Sequence, residues 1–274
     1  MVGFLQILNN REICSTIKVV TVKAYIAALM AGCLLVLLQG CVTEGTPISV
    51  LGTPRFVPQS QPDSVNETGI RQDPNTGGIW LQWYRARGVA GYKVYRADTT
   101  DQSGAPIKFM LVGNVNASKV LNDTSMVDVT SIETGIRYYY CLKAYASDGS
   151  SSTPSDTINY KLLYRNNPSY PGGHRYPTVG ITGLFFIWYD VMGGGYTVIR
   201  LKDITDIPPS TLWVTKRFQV LNSDPKRYFN FDSTATQQLI SGHSYQWRVD
   251  RFDVDGTGRP YEGSTSPWST FTVK

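Results

Sequence analysis

Ile79, Leu81 and Trp83 alternate with Trp80, Gln82 and Tyr84, and the same alternation returns 105 residues later as Leu184, Phe186 and Trp188. A period of two puts every second side chain on one face of a strand, so each triplet marks a strand with a single core face. Gly91-Tyr92-Lys93-Val94-Tyr95-Arg96 recurs as Gly195-Tyr196-Thr197-Val198-Ile199-Arg200 at an offset of 104. Gly135-Ile136-Arg137-Tyr138-Tyr139-Tyr140-Cys141-Leu142 recurs as Gly242-His243-Ser244-Tyr245-Gln246-Trp247-Arg248-Val249 at an offset of 107. So constant an offset means one unit, duplicated with small changes in its loops. Further strands are predicted at Phe109 to Val115, Met126 to Val129 and Tyr138 to Tyr145, with Gly88 to Gly91 and Gly135 marking turns. Short, regularly spaced strands with such punctuation predict an all-β sandwich or barrel.

Composition agrees. The 17 Tyr, 10 Phe and 6 Trp suit half-buried pleated surfaces, and 42% hydrophobic against 17% charged residues permits a packed core. The formal charge of +5 overstates the folded part. Without the first forty residues, 23 basic against 20 acidic residues leave +3, scattered along the chain. That is too little for a nucleic-acid footprint, and no nucleic-acid partner is expected.

Residues 24–38 are apolar and free of charge, and Lys23 precedes them. A membrane span needs about 20 residues, so the run suits the hydrophobic core of a signal peptide, predicted to be helical. Leu38-Gln39-Gly40-Cys41 follows. This resembles the lipobox of bacterial lipoproteins. The resemblance implies that residues 1–40 are a signal peptide and that Cys41, once acylated, is the lipid anchor to a membrane. Several acyl chains hold a protein stably where one does so only marginally. The alternative is an uncleaved membrane helix with an incidental cysteine. Val42 rather than Asp after the anchor favours an outer-membrane or cell-surface location in the cell envelope. Residues 41–66, rich in Thr, Pro, Gln, Ser and Gly, read as a flexible tether. Cys14 and Cys33 lie in the removed segment, leaving Cys141 as a half-buried strand residue without a disulfide partner.

A unit of ~100 residues is the size of an immunoglobulin-like sandwich. The motifs above resemble the fibronectin type III family, through Trp83, Tyr92-x-Val94-x-Arg96 and Gly135, Tyr138, Leu142, Ala144 in the first unit. Trp188, Tyr196-x-Val198-x-Arg200 and Gly242, Tyr245, Val249 carry it in the second, where Arg251 departs from the family's Ala. The resemblance implies two such β-sandwiches in tandem, over 67–163 and 164–274, with Tyr138 and Tyr245 as tyrosine-corner residues. With a boundary near Tyr164, the two modules are expected end to end.

Chemistry is sparse. His174 falls in the linker and His243 after a turn glycine, neither beside a nucleophile motif, so no catalytic residue and no cofactor are expected. Asp253, Asp255 and Glu262 around Gly256 fit part of a calcium loop, with Arg251 where the first ligand belongs; a solvated hairpin turn is the competing reading. Trp80, Tyr84 and Tyr95 lie opposite the predicted core, and Trp213 lies in a longer connection. They mark either a contact surface for a protein or carbohydrate or packing against tether, linker or neighbouring module. The functional expectation is a lipid-anchored, non-catalytic interaction, adhesion or spacer protein. The alternatives are an accessory subunit of a larger envelope complex and a hydrolase on a sandwich scaffold.

Overall fold

Every strand anticipated from alternation is present. The computed structural model describes residues 51–117, 124–189, 195–220, 225–258 and 260–274, and among them there is no helix. The signal peptide, Cys41 and residues 42–50 lie outside the described residues.

The first module contains β1 (Arg71–Gln72), β2 (Ile79–Gln82), β3 (Gly91–Ala97), β4 (Thr99–Thr100), β5 (Pro106–Ile107), β6 (Met110–Asn116), β7 (Ser125–Asp128), β8 (Arg137–Tyr145) and β9 (Ile158–Leu162). A three-stranded sheet, β1-β2-β7, faces the four strands β9-β8-β3-β6. Ile79, Leu81 and Trp83 from one sheet meet Tyr92, Val94, Tyr140 and Leu142 from the other, all fully buried. The small pair β4-β5 stands apart.

The second module contains β10 (Asn167–Tyr170), β11 (Thr178–Val179), β12 (Phe185–Tyr189), β13 (Tyr196–Asp203), β14 (Ser210–Val214), β15 (Lys226–Tyr228), β16 (Ser244–Val254), β17 (Pro260–Thr265) and β18 (Ser269–Val273). Again three strands, β10-β12-β15, face a larger sheet built on β14, β13, β16 and β18. Phe186 and Trp188 meet Ile199, Leu201, Trp247 and Phe271 between them. Two tandem β-sandwiches result, and the tyrosine corners form in both. The Tyr138 hydroxyl accepts from Glu133 N–H at 2.8 Å, and that of Tyr245 from Ile240 N–H at 2.9 Å.

One strand faces the other way from what the repeated string suggests. Aligning Tyr196-x-Val198-x-Arg200 with Tyr92-x-Val94-x-Arg96 puts Val198 in the core, yet Ile199 and Leu201 are the core residues there. Val198 instead packs on the opposite face with Val214 and Phe252. The side-chain period is two, so a slip of one residue exchanges the two faces.

The modules are continuous rather than merely placed end to end. β17 pairs in parallel with β9, Glu262 beside Lys161 and Gly263 beside Leu162, which joins the two larger sheets into one of ten strands. Leu51–Lys274 forms one compact unit.

Residues 51–66 of the expected tether are built into this unit. Val57 N–H donates to Gln82 O and Tyr84 N–H to Arg55 O, so Phe56 makes a single antiparallel bridge with Trp83 just past the end of β2. The chain then leaves the sheet as a loop over 58–70 and returns in β1. Gly69 closes the loop's neck at φ +76°, with its backbone so near Gln59 that a Cβ would lie 2.5 Å from Gln59 Cα. Proline, serine and glutamine composition suggested free chain, but several backbone groups of this segment, among them Val57 N–H, Arg55 O and Pro58 O, are bonded into the fold.

Candidate functional site

The 58–70 loop lands on the outer face of the second module's large sheet. There Arg200 on β13 and Arg248 on β16 stand side by side, as their register requires. An outward-facing arginine is ordinarily solvated, but these two are 3% and 2% exposed because the loop covers them. Arg200 donates from Nη1 to Ser64 O at 2.8 Å and from Nη2 to Pro62 O. Arg248 Nη2 donates to the Glu67 carboxylate. Asp250 completes the set, its Oδ2 accepting from Arg200 Nε and Arg248 Nη2, each at 3.0 Å.

Aromatic rings close the cluster on both sides. The Arg71 guanidinium stacks on Trp80 at 3.2 Å from the ring centre, and Arg248 lies 4.7 Å from the ring of Trp268. Trp80, Arg71, Glu67, Arg248 and Trp268 therefore form one alternating stack from the first module to the second. Lys202 also lies over Trp268, at 4.8 Å.

Burial would raise the Glu67 carboxyl, but the guanidiniums of Arg248, Arg200 and Arg71 more than offset it and hold the group below the ordinary glutamate range. Burial pushes the Arg71 guanidinium down to about 10, against the pull of Glu67. Arg248 is held up by Asp250 and Glu67 despite its burial. The cavity left beside these groups is about 50 Å³, room for a water but not for a substrate.

A second contact lies along β17. Glu262 meets Arg137 Nη2 at 3.1 Å and Lys161 Nζ at 3.3 Å, both from the first module. Thr265 N–H donates to Gln72 Oε1 at 2.7 Å, and Arg165 Nε in the linker donates to Thr265 O at 2.7 Å.

The anticipated residues scatter. Trp213 is a core residue, its ring N–H donating to Asp232 Oδ1 and Thr234 Oγ1 at 3.0 Å, because β14 occupies the connection in which it was placed. Trp80 belongs to the stack just described. Tyr84 is half exposed beside Arg55, and Tyr95, on a different sheet, lies beside Lys143, so these aromatics share no common patch. Asp253 faces Glu262 across the hairpin, and burial together with that neighbour raises its carboxyl. Glu262 is taken by Arg137 and Lys161, while Asp255 accepts from Thr257 N–H and Oγ1 in its own turn, so the three acids do not converge. Among the described residues no three metal-ligating side chains form a cluster.

His243 is not simply solvated; its Nδ1 lies 2.7 Å from Asp203 Oδ2. Burial would raise Asp203, but hydrogen bonds from His243 and Thr205 hold it down. Cys141 is buried on β8, which raises its thiol. Glu67, Arg248, Asp250 and Trp268 were not marked as site residues by the sequence, and Arg200 stood out only as part of the Tyr-x-Val-x-Arg string. The available signal was the run of alternating charges Arg248-x-Asp250 in a central strand, which reads equally well as a solvated face.

No family model matches the chain, and no curated protein matches it. Among solved structures, an Fn3-like protein from Clostridium thermocellum is similar at 22% identity and a TM-score of 0.29, over 40% of this chain and 92% of its own. The chicken CNTN1 FN1–FN3 domains are similar at 15% identity and a TM-score of 0.25, over 81% of this chain and 66% of theirs. The fold assignment rests on the strand order and packing given above.

Proposed function

We propose that this is a lipid-anchored cell-envelope protein of an outer membrane or cell surface, whose two sandwiches act as a rigid non-catalytic spacer and interaction module. The observation that carries the reading is the shared ten-stranded sheet, with Glu262 of the second module paired across it to Arg137 and Lys161 of the first. A spacer holds a distance only if its modules do not swivel, and a parallel strand pair plus buried ion pairs opposes swivelling. The anchor is supported by Leu38-Gln39-Gly40-Cys41 after the apolar run. Its ligand is a protein or a glycan.

Labelling cells with a radioactive fatty acid tests the anchor. The wild-type chain is expected to carry label and to fractionate with membranes, whereas Cys41→Ala is expected to lose both. Label retained by Cys41→Ala, or absent from wild type, would overturn it.

A second reading, an accessory subunit of a larger complex, is favoured by one observation. Phe185 and Tyr228 pair on the outer face of β12 and β15 with Lys226 over both rings, Tyr170 stacks on Phe185 while packing against the core, and Tyr189 is exposed nearby. Crosslinking in intact envelopes distinguishes the two: a stoichiometric adduct supports the subunit reading, and none supports the spacer.

A further inference from the structure

We infer that the outer face of the second module's sheet is a recognition site for an acidic peptide folded into a β-turn, which the chain's own 58–70 loop occupies. The inference deepens the interaction reading above and is independent of the lipid anchor.

The loop's bond pattern is that of a ligand. Arg200 reads two main-chain carbonyls, Pro62 O and Ser64 O, and Arg248 reads the carboxylate of Glu67. These carbonyls are presented by a β-turn over Pro62-Asp63, closed by Ser64 N–H donating to Gln61 O at 2.9 Å, and the carboxylate three residues beyond Ser64 supplies the selectivity. The receiving side is preformed: Asp250 orients both guanidiniums, and Trp268 backs Arg248 and Lys202. Planar, forked guanidiniums fixed in advance lose little freedom on binding.

The loop is also dispensable to its own module. Pairing on either side, at the Phe56 bridge and at β1, is complete without it, and its neck is stitched internally by Ser60 N–H to Thr68 O at 3.1 Å. Its tip buries no large apolar side chain; Val65 is 58% exposed. While Ile70 at the loop's end belongs to the first module's core, the tip is held by charge and hydrogen bonding, Asp63 with Arg217 Nε at 3.6 Å included. Such a contact can be replaced by a partner segment with the same groups. The loop competes from within the molecule, at an effective concentration of order millimolar, so an incoming peptide gains access only when it binds well or the loop is displaced.

The test replaces residues 60–68 of the full-length chain with Gly-Gly, which the contact between Gln59 and Gly69 permits, and adds a fluorescent peptide of residues 58–70. The loop-replaced chain is expected to bind the peptide at least tenfold more tightly than wild type, with affinity falling as salt rises. A Glu67→Gln peptide, and an Arg248→Gln substitution in the loop-replaced chain, are each expected to weaken binding tenfold or more. Should the replacement prevent folding, Glu67→Arg in the intact chain takes its place, because like charge expels the loop. Overturning results are three: no binding by a variant with the wild-type circular dichroism spectrum, equal binding by wild type and variant, or equal binding of a scrambled peptide with the same two acids. A chain that bears no lipid yet binds the peptide would sink the anchored-spacer reading and leave this one standing.

Discussion

The first module carries its own buried ion pair, and its removal should be costly. Arg96 Nη1 lies 2.8 Å from Asp128 Oδ2, and the Tyr140 hydroxyl donates to the same oxygen at 3.0 Å. Burial, with Asp128 close by, pushes the Tyr140 hydroxyl far above its ordinary range, so it stays protonated and donates. Asp128→Ala strands a buried guanidinium and a phenol, and about 3–5 kcal/mol of stability is expected to be lost in urea denaturation. Trp213→Ala should lose a similar ~3–5 kcal/mol, since it vacates core between Phe186 and Phe229. Tyr84→Ala, at a half-exposed ring, is expected to stay within about 0.5 kcal/mol. A Trp213→Ala variant of wild-type stability would restore a contact role for that residue. Trp83, Trp188 and the tyrosine corners were legible because alternation and corner motifs are local, whereas the core ring of Trp213 was not, because β14 lies in a stretch that alternation leaves as a connection. Glu67, Arg200 and Arg248 were not, because alternation says only that a side chain faces outward, and nothing local says that another segment covers it.

At the scale of strands, β13 shows how far a repeated string can be trusted. The preceding strands β2 and β12 match at an offset of 105, and carrying that offset forward pairs Tyr92 with Thr197 and Val94 with Ile199. This is the core register actually found. The Tyr-x-Val-x-Arg string matches at 104 and inverts the faces, so continuity of spacing outweighs identity of letters. The hairpin β16–β17 carries a second element-level expectation. Asp253 and Glu262 oppose each other, and the Asp253 carboxyl is raised first by burial and then by Glu262, against Arg251 and Lys161. A carboxyl raised on folding is penalised when ionised, and the penalty disappears as pH falls through its folded value. Asp253→Asn is therefore expected to raise the melting midpoint at neutral pH, with the gain shrinking on acidification. A gain that is independent of pH would argue that the repulsion is not the cause.

For the molecule as a whole, the question is whether the two sandwiches unfold as one. Like charges and bare edges would let them part, but β9–β17 pairing, the Glu262 pairs and the Glu67 cluster all cross the same joint. Glu67 is held below the glutamate range, so its contribution is complete above the ordinary value of 4.5 and is lost as pH falls from there through the depressed folded value. The groups that face it are Arg71, Arg200 and Arg248, and Asp250, which shares two of them. Hydrogen exchange read separately in β8 and β16 reports each module. At neutral pH the two are expected to lose protection at the same denaturant concentration, and in acid to separate. Glu67→Gln should separate them at neutral pH already, because the amide keeps the shape of the carboxylate and gives up its charge. Coincident unfolding in Glu67→Gln would mean that the strand pairing alone joins the modules, and that the charged stack only seats the loop.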